Sequence, residues 1–240
     1  MQRLRGKCAI VSGASRGIGR AVAVALAAEG ASVLALARDR AALAETVAAA
    51  EASGGRCLPL LGDVTADGAA ERAVGTAMKS FGGLDILINN AGISEGGTVR
   101  DTSQATFREI MRTNLDATFL FCQAAIAHMA ERGGAIVNIA SISGKQGMAG
   151  SAAYSASKFA VVGLSQALFE EVRELGIKVC CLCPGYVNTS MVSDDRALDR
   201  AKMIQPQDVA DCVLWVVTGS ATSCPVEIVL RPQRTPYTRG

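Results

Sequence analysis

Short β-prone runs alternate strictly with helical patterns along this chain, and that alternation limits its fold more than any other feature. The runs are KCAIVS at 7–12, ASVLALA at 31–37, RCLPLL at 56–61, LDILIN at 84–89, AIVNIA at 135–140, KVCCLC at 178–183 and VEIVL at 226–230. Between them lie stretches rich in Ala and Leu with helical spacing. Most runs are continuously apolar, as parallel strands are when both faces are covered. Right-handed β-α-β crossovers then predict an α/β fold, a doubly wound parallel sheet of seven strands with helices on both faces. No repeat or low-complexity tract interrupts the pattern before RPQRTPYTRG, so residues 1–240 read as a single domain with an extended tail over 231–240. The stretch 186–205 is polar and weakly periodic after Pro184 and Gly185. It reads as a mobile lid beyond the carboxyl end of the sixth strand, the end at which open α/β sheets bind ligands.

Composition removes several functions. Net charge is +2 and the Lys and Arg residues are scattered, which argues against a nucleic-acid groove or an anionic membrane surface. The opening MQRLRGKCAIVSGASRGIG lacks the apolar core of a signal peptide, and no segment offers the roughly 20 apolar residues of a membrane span. A soluble, cytoplasmic protein is expected. Of eight cysteines, Cys8, Cys180, Cys181 and Cys183 sit in apolar β-prone runs, and the chain has one histidine, His128, in a helical pattern. Reduced core cysteines, a surface histidine and no metal site follow.

Two constellations carry chemistry. The first strand runs into SGASRGIG, where Gly13, Gly17 and Gly19 open a helix. Glycines in such a turn let backbone N–H groups approach a phosphate, and the helix N-terminus adds partial positive charge. The second is YSASK: Tyr154 and Lys158 are four apart in a helical stretch and so share a face. A cation about 5 Å from a phenol favours the phenolate by roughly two pKa units at an effective dielectric near 20. Tyr154 is therefore expected to titrate nearer working pH. Ser141, thirteen residues earlier and just past the fifth strand, can bring its hydroxyl to the same point, with Ser143 as its rival; a capping role is the simpler reading of either serine alone.

The G-x3-G-x-G spacing, NNAG at 89–92, Asn114, Ser141, YSASK and PGYVNT at 184–189 together resemble the short-chain dehydrogenase/reductase family over nearly the whole chain. The resemblance implies a Rossmann-like fold and makes Tyr154 the general acid/base, Lys158 its partner and a ribose ligand, Ser141 a holder of the substrate oxygen and Asn114 part of a proton relay. It further implies a nicotinamide dinucleotide held by Gly13, Ser15, Arg16, Gly17, Ile18, Gly19, Arg38, Asp63, Val64, Asn90, Ala91, Gly92, Tyr154, Lys158, Pro184, Gly185, Val187 and Thr189. Ser12 replaces the Thr usual in the family and keeps its hydroxyl. In ALARDR the acidic residue that would pair with the ribose of NAD is absent at Ala37, and Arg38 follows; with Arg16 this points to NADP(H). Asp39 is simply a helix cap and Asp63 a cap or an adenine contact.

The resulting expectation is hydride transfer between NADP(H) and a small carbonyl compound or secondary alcohol, with Ser94, Ser141, Met148, Tyr154, Tyr186 and Met191 lining the substrate pocket. The runner-up substrate is a 3-oxoacyl thioester on an acidic carrier protein, against which the acidic helix end FEEVRELG argues. A non-catalytic NADP(H) sensor is the alternative from another class, since fold does not dictate function. Broad apolar faces on predicted helices 103–131 and 151–175, with Phe119, Phe121, Leu164, Leu168 and Phe169, suggest a homodimer or homotetramer.

Overall fold

The computed structural model describes residues 2–193 and 197–237. Three positions of the expected lid, 194–196, and three of the expected tail, 238–240, lie outside the described residues, as does Met1. The strands are β1 (Cys8–Ser12), β2 (Ser32–Ala37), β3 (Arg56–Leu61), β4 (Ile86–Asn89), β5 (Gly134–Ile139), β6 (Ile177–Pro184) and β7 (Glu227–Leu230). They alternate with helices α1 (Gly17–Ala28), α2 (Arg40–Ala52), α3 (Ala69–Phe81), α4 (Gln104–Met111), α5 (Ala117–Met129), α6 (Ala152–Val172) and α7 (Pro206–Thr218). All seven strands are parallel, in the order β3-β2-β1-β4-β5-β6-β7. The chain winds outward in one direction from β1 to β3 and in the other from β4 to β7. The connections leaving β1 and β4 therefore diverge, and a crevice opens between their carboxyl ends.

Strand periodicity divides the core. Ala9 and Val11 of β1 face a cluster with α1 and α7, while Ile10 joins α3, α5 and α6 on the other side. Alanines on α1 (Ala23, Ala25, Ala27) keep that helix close to the sheet. Cys180 and Cys183 stand at C-x-x-C spacing but fall on opposite faces of β6, in different clusters, as an extended strand requires. All eight cysteines are free, and among the described residues no group of His, Cys, Asp and Glu is arranged to hold a metal.

Three expectations change on contact with the structure. The helix expected over 103–131 is two α-helices joined by a π-helical turn, Arg112–Asp116, which buries Asn114. Phe121 and Leu168, assigned to a surface between subunits, are 1% and 5% exposed and belong to the protein's own core. The large apolar residues left open over 103–131 and 151–175 are Phe107, Phe119, Leu120, Phe159 and Leu175. The lid is also fastened more firmly than its polar sequence suggests. The Asn188 N–H donates to the Ile204 carbonyl (2.8 Å) and the Ile204 N–H to the Tyr186 carbonyl (3.0 Å), closing its two ends. Arg200 then reaches Asn188 Oδ1 (3.0 Å), the Thr189 carbonyl (3.3 Å) and the Val192 carbonyl (2.9 Å).

Candidate active site

At the crevice, Gly13 and Gly17 adopt positive φ (64° and 55°), a region costly for any residue with a Cβ. Gly19 is fixed by space: a Cβ there would collide with the Gly13 carbonyl and the Asn90 amide. Gly19 therefore lets α1 approach the turn and does not line the crevice, unlike the ligand contact expected of it. The hydroxyl of Ser12 accepts from the N–H groups of Asn90 (3.0 Å) and Ala91 (3.1 Å), and Asn90 Nδ2 donates to the Ser12 and Gly13 carbonyls (3.0 and 3.1 Å). The end of β1 is thus joined to the residues that follow β4.

The helix α1 begins at Gly17, and Arg16 before it makes no side-chain cap, which leaves the first N–H groups of the helix to meet an anion. A Cβ at Gly17 would lie 3.0 Å from the Thr189 methyl, so the cradle between turn and lid has the depth that glycine allows. These features fit the pyrophosphate of a dinucleotide. The cavity above them, of about 630 Å³, is lined by Gly13, Ser15, Arg16, Gly17, Ile18, Arg38, Asp63, Val64, Asn90, Ala91, Gly92, Ser94, Thr189 and Met191. Leu36, Gly62, Ile93, Thr113 and Ser190 also line it; nothing in their spacing signalled that position.

Two further residues hold the turn. The Arg20 guanidinium donates to the Ser15 carbonyl (2.6 Å), the Ala42 carbonyl (3.0 Å) and the Thr46 hydroxyl (3.1 Å), while Thr46 donates to the Ala14 carbonyl (2.9 Å). Asp39 caps α2 through the Ala42 N–H, as its position before a helical run foretells. Arg38 pairs with Asp63 at 3.3 Å in an exposed contact. Burial acts to raise the Asp63 carboxyl, but hydrogen bonds from Thr65 and the Arg38 charge prevail and hold it below the ordinary range. Asp63 closes its own turn through Thr65 and does not cap α3, whose first position follows Gly68.

A second cavity of about 370 Å³ continues from the first, sharing Ile18, Asn90, Gly92, Ser94, Thr189 and Met191 with it. Ser141, Ser143, Met148, Tyr154, Lys158, Pro184, Gly185, Tyr186 and Val187 line it. Ser141, after β5, caps the short 3-10 turn Ile142–Gly144 through the Ser143 N–H (3.1 Å) and lines the same cavity as Tyr154, whose phenol it acts to lower. Ser143 turns its hydroxyl toward the Met148 sulfur instead (3.7 Å). Asn114 lines neither cavity. Its Oδ1 accepts from the Ile93 N–H (2.8 Å) and its Nδ2 donates to the Ile93 carbonyl (2.9 Å) and the Ser157 hydroxyl (3.0 Å). Ser157 donates in turn to the Tyr154 carbonyl (2.7 Å). The side chain expected in a proton relay therefore ties the strand-end loop to the helix that carries Tyr154.

Lys158 Nζ lies 5.7 Å from the centroid of the Tyr154 ring and donates to the Ile139 carbonyl at 2.9 Å. Burial lowers Lys158 to about 8, opposed by the neighbouring Cys181 and Cys183. Tyr154 corrects an expectation. Burial raises the phenol above its ordinary value, and the nearby Ser141 hydroxyl offsets only part of the rise. Enclosure penalises the phenolate more than the neighbouring ammonium, itself bonded to a carbonyl, favours it.

A glycine turn at a topological switch point, continuous with a pocket holding Ser, Tyr and Lys, defines a dinucleotide-dependent oxidoreductase. The model of the short chain dehydrogenase family matches residues 7–199, and this chain belongs to that family, whose members use a nicotinamide cofactor. The ketoacyl reductase HetN of Nostoc sp. is 38% identical over 226 residues, spanning 92% of this chain and 79% of the relative. A Streptomyces violaceoruber protein named as ketoacyl reductase 1 of the granaticin polyketide synthase is 37% identical over 239 residues, with 90% and 88% covered. A solved short-chain type dehydrogenase/reductase from Mycobacterium marinum superposes with a TM-score of 0.87 at 33% identity, covering 95% of each chain. Among the described residues no helix is long and apolar enough to cross a membrane.

Proposed function

We propose that this protein reduces a small carbonyl compound with NADPH, Tyr154 acting as the general acid. The observation that carries the reading is the continuity of the two cavities, which sets Tyr154, Ser141 and Lys158 beside the nucleotide crevice. When bound, the nicotinamide supplies the hydride that reduces the carbonyl carbon. Ser141 holds the carbonyl oxygen, and Tyr154, kept protonated by burial, donates its phenolic proton to that oxygen as negative charge develops. Lys158 then stabilises the phenolate left behind, which regains its proton from solvent.

NADP(H) is favoured by Arg38 and Arg16 at the adenosine end of the crevice. The Arg38–Asp63 contact is exposed and worth about 0–1 kcal/mol, so a 2′-phosphate can recruit that guanidinium. A 3-oxoacyl thioester is the second reading, favoured by the two relatives named as ketoacyl reductases. Residues 1–240 work as one domain in this reading, and the exposed Phe107, Phe119, Leu120 and Phe159 are the faces through which copies would pair as a dimer or tetramer. Eight free cysteines suit the reducing cytoplasm. The test is NADPH oxidation with ketones, diketones, quinones and oxoacyl thioesters. On any accepted substrate, Tyr154→Phe should lower turnover by roughly 10²–10⁴-fold while NADPH binding by fluorescence titration stays near wild type. Full turnover in that variant would sink the mechanism.

A further inference from the structure

Residues 231–237 cross the outer side of the segment that forms one wall of the Tyr154 cavity. Pro232 packs on Gly185, its Cδ 3.1 Å from where a Cβ there would stand. The Pro236 carbonyl accepts the Asp199 N–H at 2.7 Å, and Tyr237 forms an antiparallel bridge with Leu198. Tyr237 also stands edge-on to Tyr186, with ring centroids 5.8 Å apart, an interplanar angle of 87° and hydroxyl oxygens 3.1 Å apart. Tyr186 lines the cavity with Ser141, Tyr154 and Lys158. Tyr237 therefore grips both limbs of the 186–205 segment: Leu198 on the returning limb and Tyr186 on the outgoing one.

We propose that Tyr237 is a specificity-determining residue that acts through Tyr186, fixing that ring and so setting how bulky a group the cavity admits beside the carbonyl. The proposal rests on the carbonyl-reductase reading of the cavity. The reason is geometric. Tyr186 follows Gly185 at the end of β6, and its ring is held from outside by an aromatic edge and a hydroxyl, a pair with defined distance and angle. Released from it, the ring gains rotamers that widen the pocket. A small substrate then loses a wall that oriented it, and a bulky one gains room. The phosphate turn shares none of these contacts, so the change should act mainly on the carbonyl end of the crevice.

The experiment compares 2,3-butanedione with 1-phenyl-1,2-propanedione, which differ by methyl against phenyl, in the wild-type full chain and in Tyr237→Ala and Tyr237→Phe. Tyr237→Ala should raise the phenyl-to-methyl ratio of kcat/KM about fivefold and leave the KM for NADPH within twofold. Tyr237→Phe keeps the ring edge and loses the hydroxyl pair, so its ratio should move about twofold. An unchanged ratio in a Tyr237→Ala protein with wild-type circular dichroism overturns the proposal. A Tyr154→Phe control in the same assay separates the two ideas, because turnover surviving it overturns the catalytic reading instead. Hydrogen exchange of residues 186–193 gives a readout that needs no turnover. Faster exchange in Tyr237→Ala supports the tether, and unchanged exchange overturns it.

Discussion

The phosphate turn and the 186–205 segment form opposite walls of one crevice but are built by different means. Backbone geometry shapes the turn: two glycines at positive φ, a third that admits the Gly13 carbonyl, and a helix N-terminus without a side-chain cap. Its outside supports, Ser12, Asn90, Arg20 and Thr46, bond mostly to backbone carbonyls and N–H groups. The lid is shaped by side chains arriving from farther along the chain, Arg200 and Gln205 from its own return and Tyr237 from beyond β7. A pyrophosphate, a ligand part common to many enzymes, would be met there by backbone, which every sequence possesses. The part peculiar to each enzyme is met by replaceable side chains.

Substitutions on each wall can break or sharpen that contrast. The largest effect should come from Gly19→Ala, which drives a methyl into the Gly13 carbonyl. NADPH affinity should fall on the order of tenfold or more by fluorescence titration, with a loss of thermal stability in the usual range for overpacking. Arg38→Asp should reverse the preference for NADPH over NADH, changing the ratio of their kcat/KM values by roughly tenfold, the worth of a charge-assisted hydrogen bond. Equal binding of the two cofactors by wild type would remove that wall's claim to NADP(H).

Arg200→Ala loosens the other wall, including Thr189, which also lines the nucleotide cavity. The KM for the carbonyl substrate should rise about fivefold, more than the KM for NADPH, and an equal rise in both would erase the distinction. The floor between the walls is read by pH instead of by affinity. Lys158 titrates at about 8 when folded and near 10.5 when unfolded, so between those values the unfolded chain binds the extra proton. Stability of wild type relative to Lys158→Met should therefore rise as pH goes from 8 to 10.5, measured by urea unfolding. Reduction should decline over the same start of the range as the cation is lost. A relative stability that falls with pH would contradict the buried charge.

The strand runs and the glycine turn were legible because their causes are local. Seven apolar runs became the seven strands with shifts of a residue or two, since burial on both faces demands continuous apolar sequence. Asp39 announced the start of α2 in the same way. Asn114 was found by resemblance, but its bonds to Ile93 and Ser157 were not legible, because the π-helical turn that aims it is an insertion with no periodic signal. Thr113, within that turn, reaches the crevice for the same reason. Arg20 looked like any polar residue of an alanine-rich helix until α2 was packed beside it.

The sequence by itself determined the layered fold, the switch-point crevice and the placing of Tyr154 and Lys158 on one helix face, because period, turn chemistry and i, i+4 spacing act over a few residues; Asn114 and Ser141 came forward only through the family resemblance. Only the tertiary structure decided the protonation balance of Tyr154 and Lys158, where burial by remote elements outweighs the neighbouring charge. It also decided that Phe121 and Leu168 serve the core and that Tyr237 meets Tyr186 across 51 positions. Dielectric surroundings and long-range contacts depend on which elements pack together, and no local window of sequence contains that information.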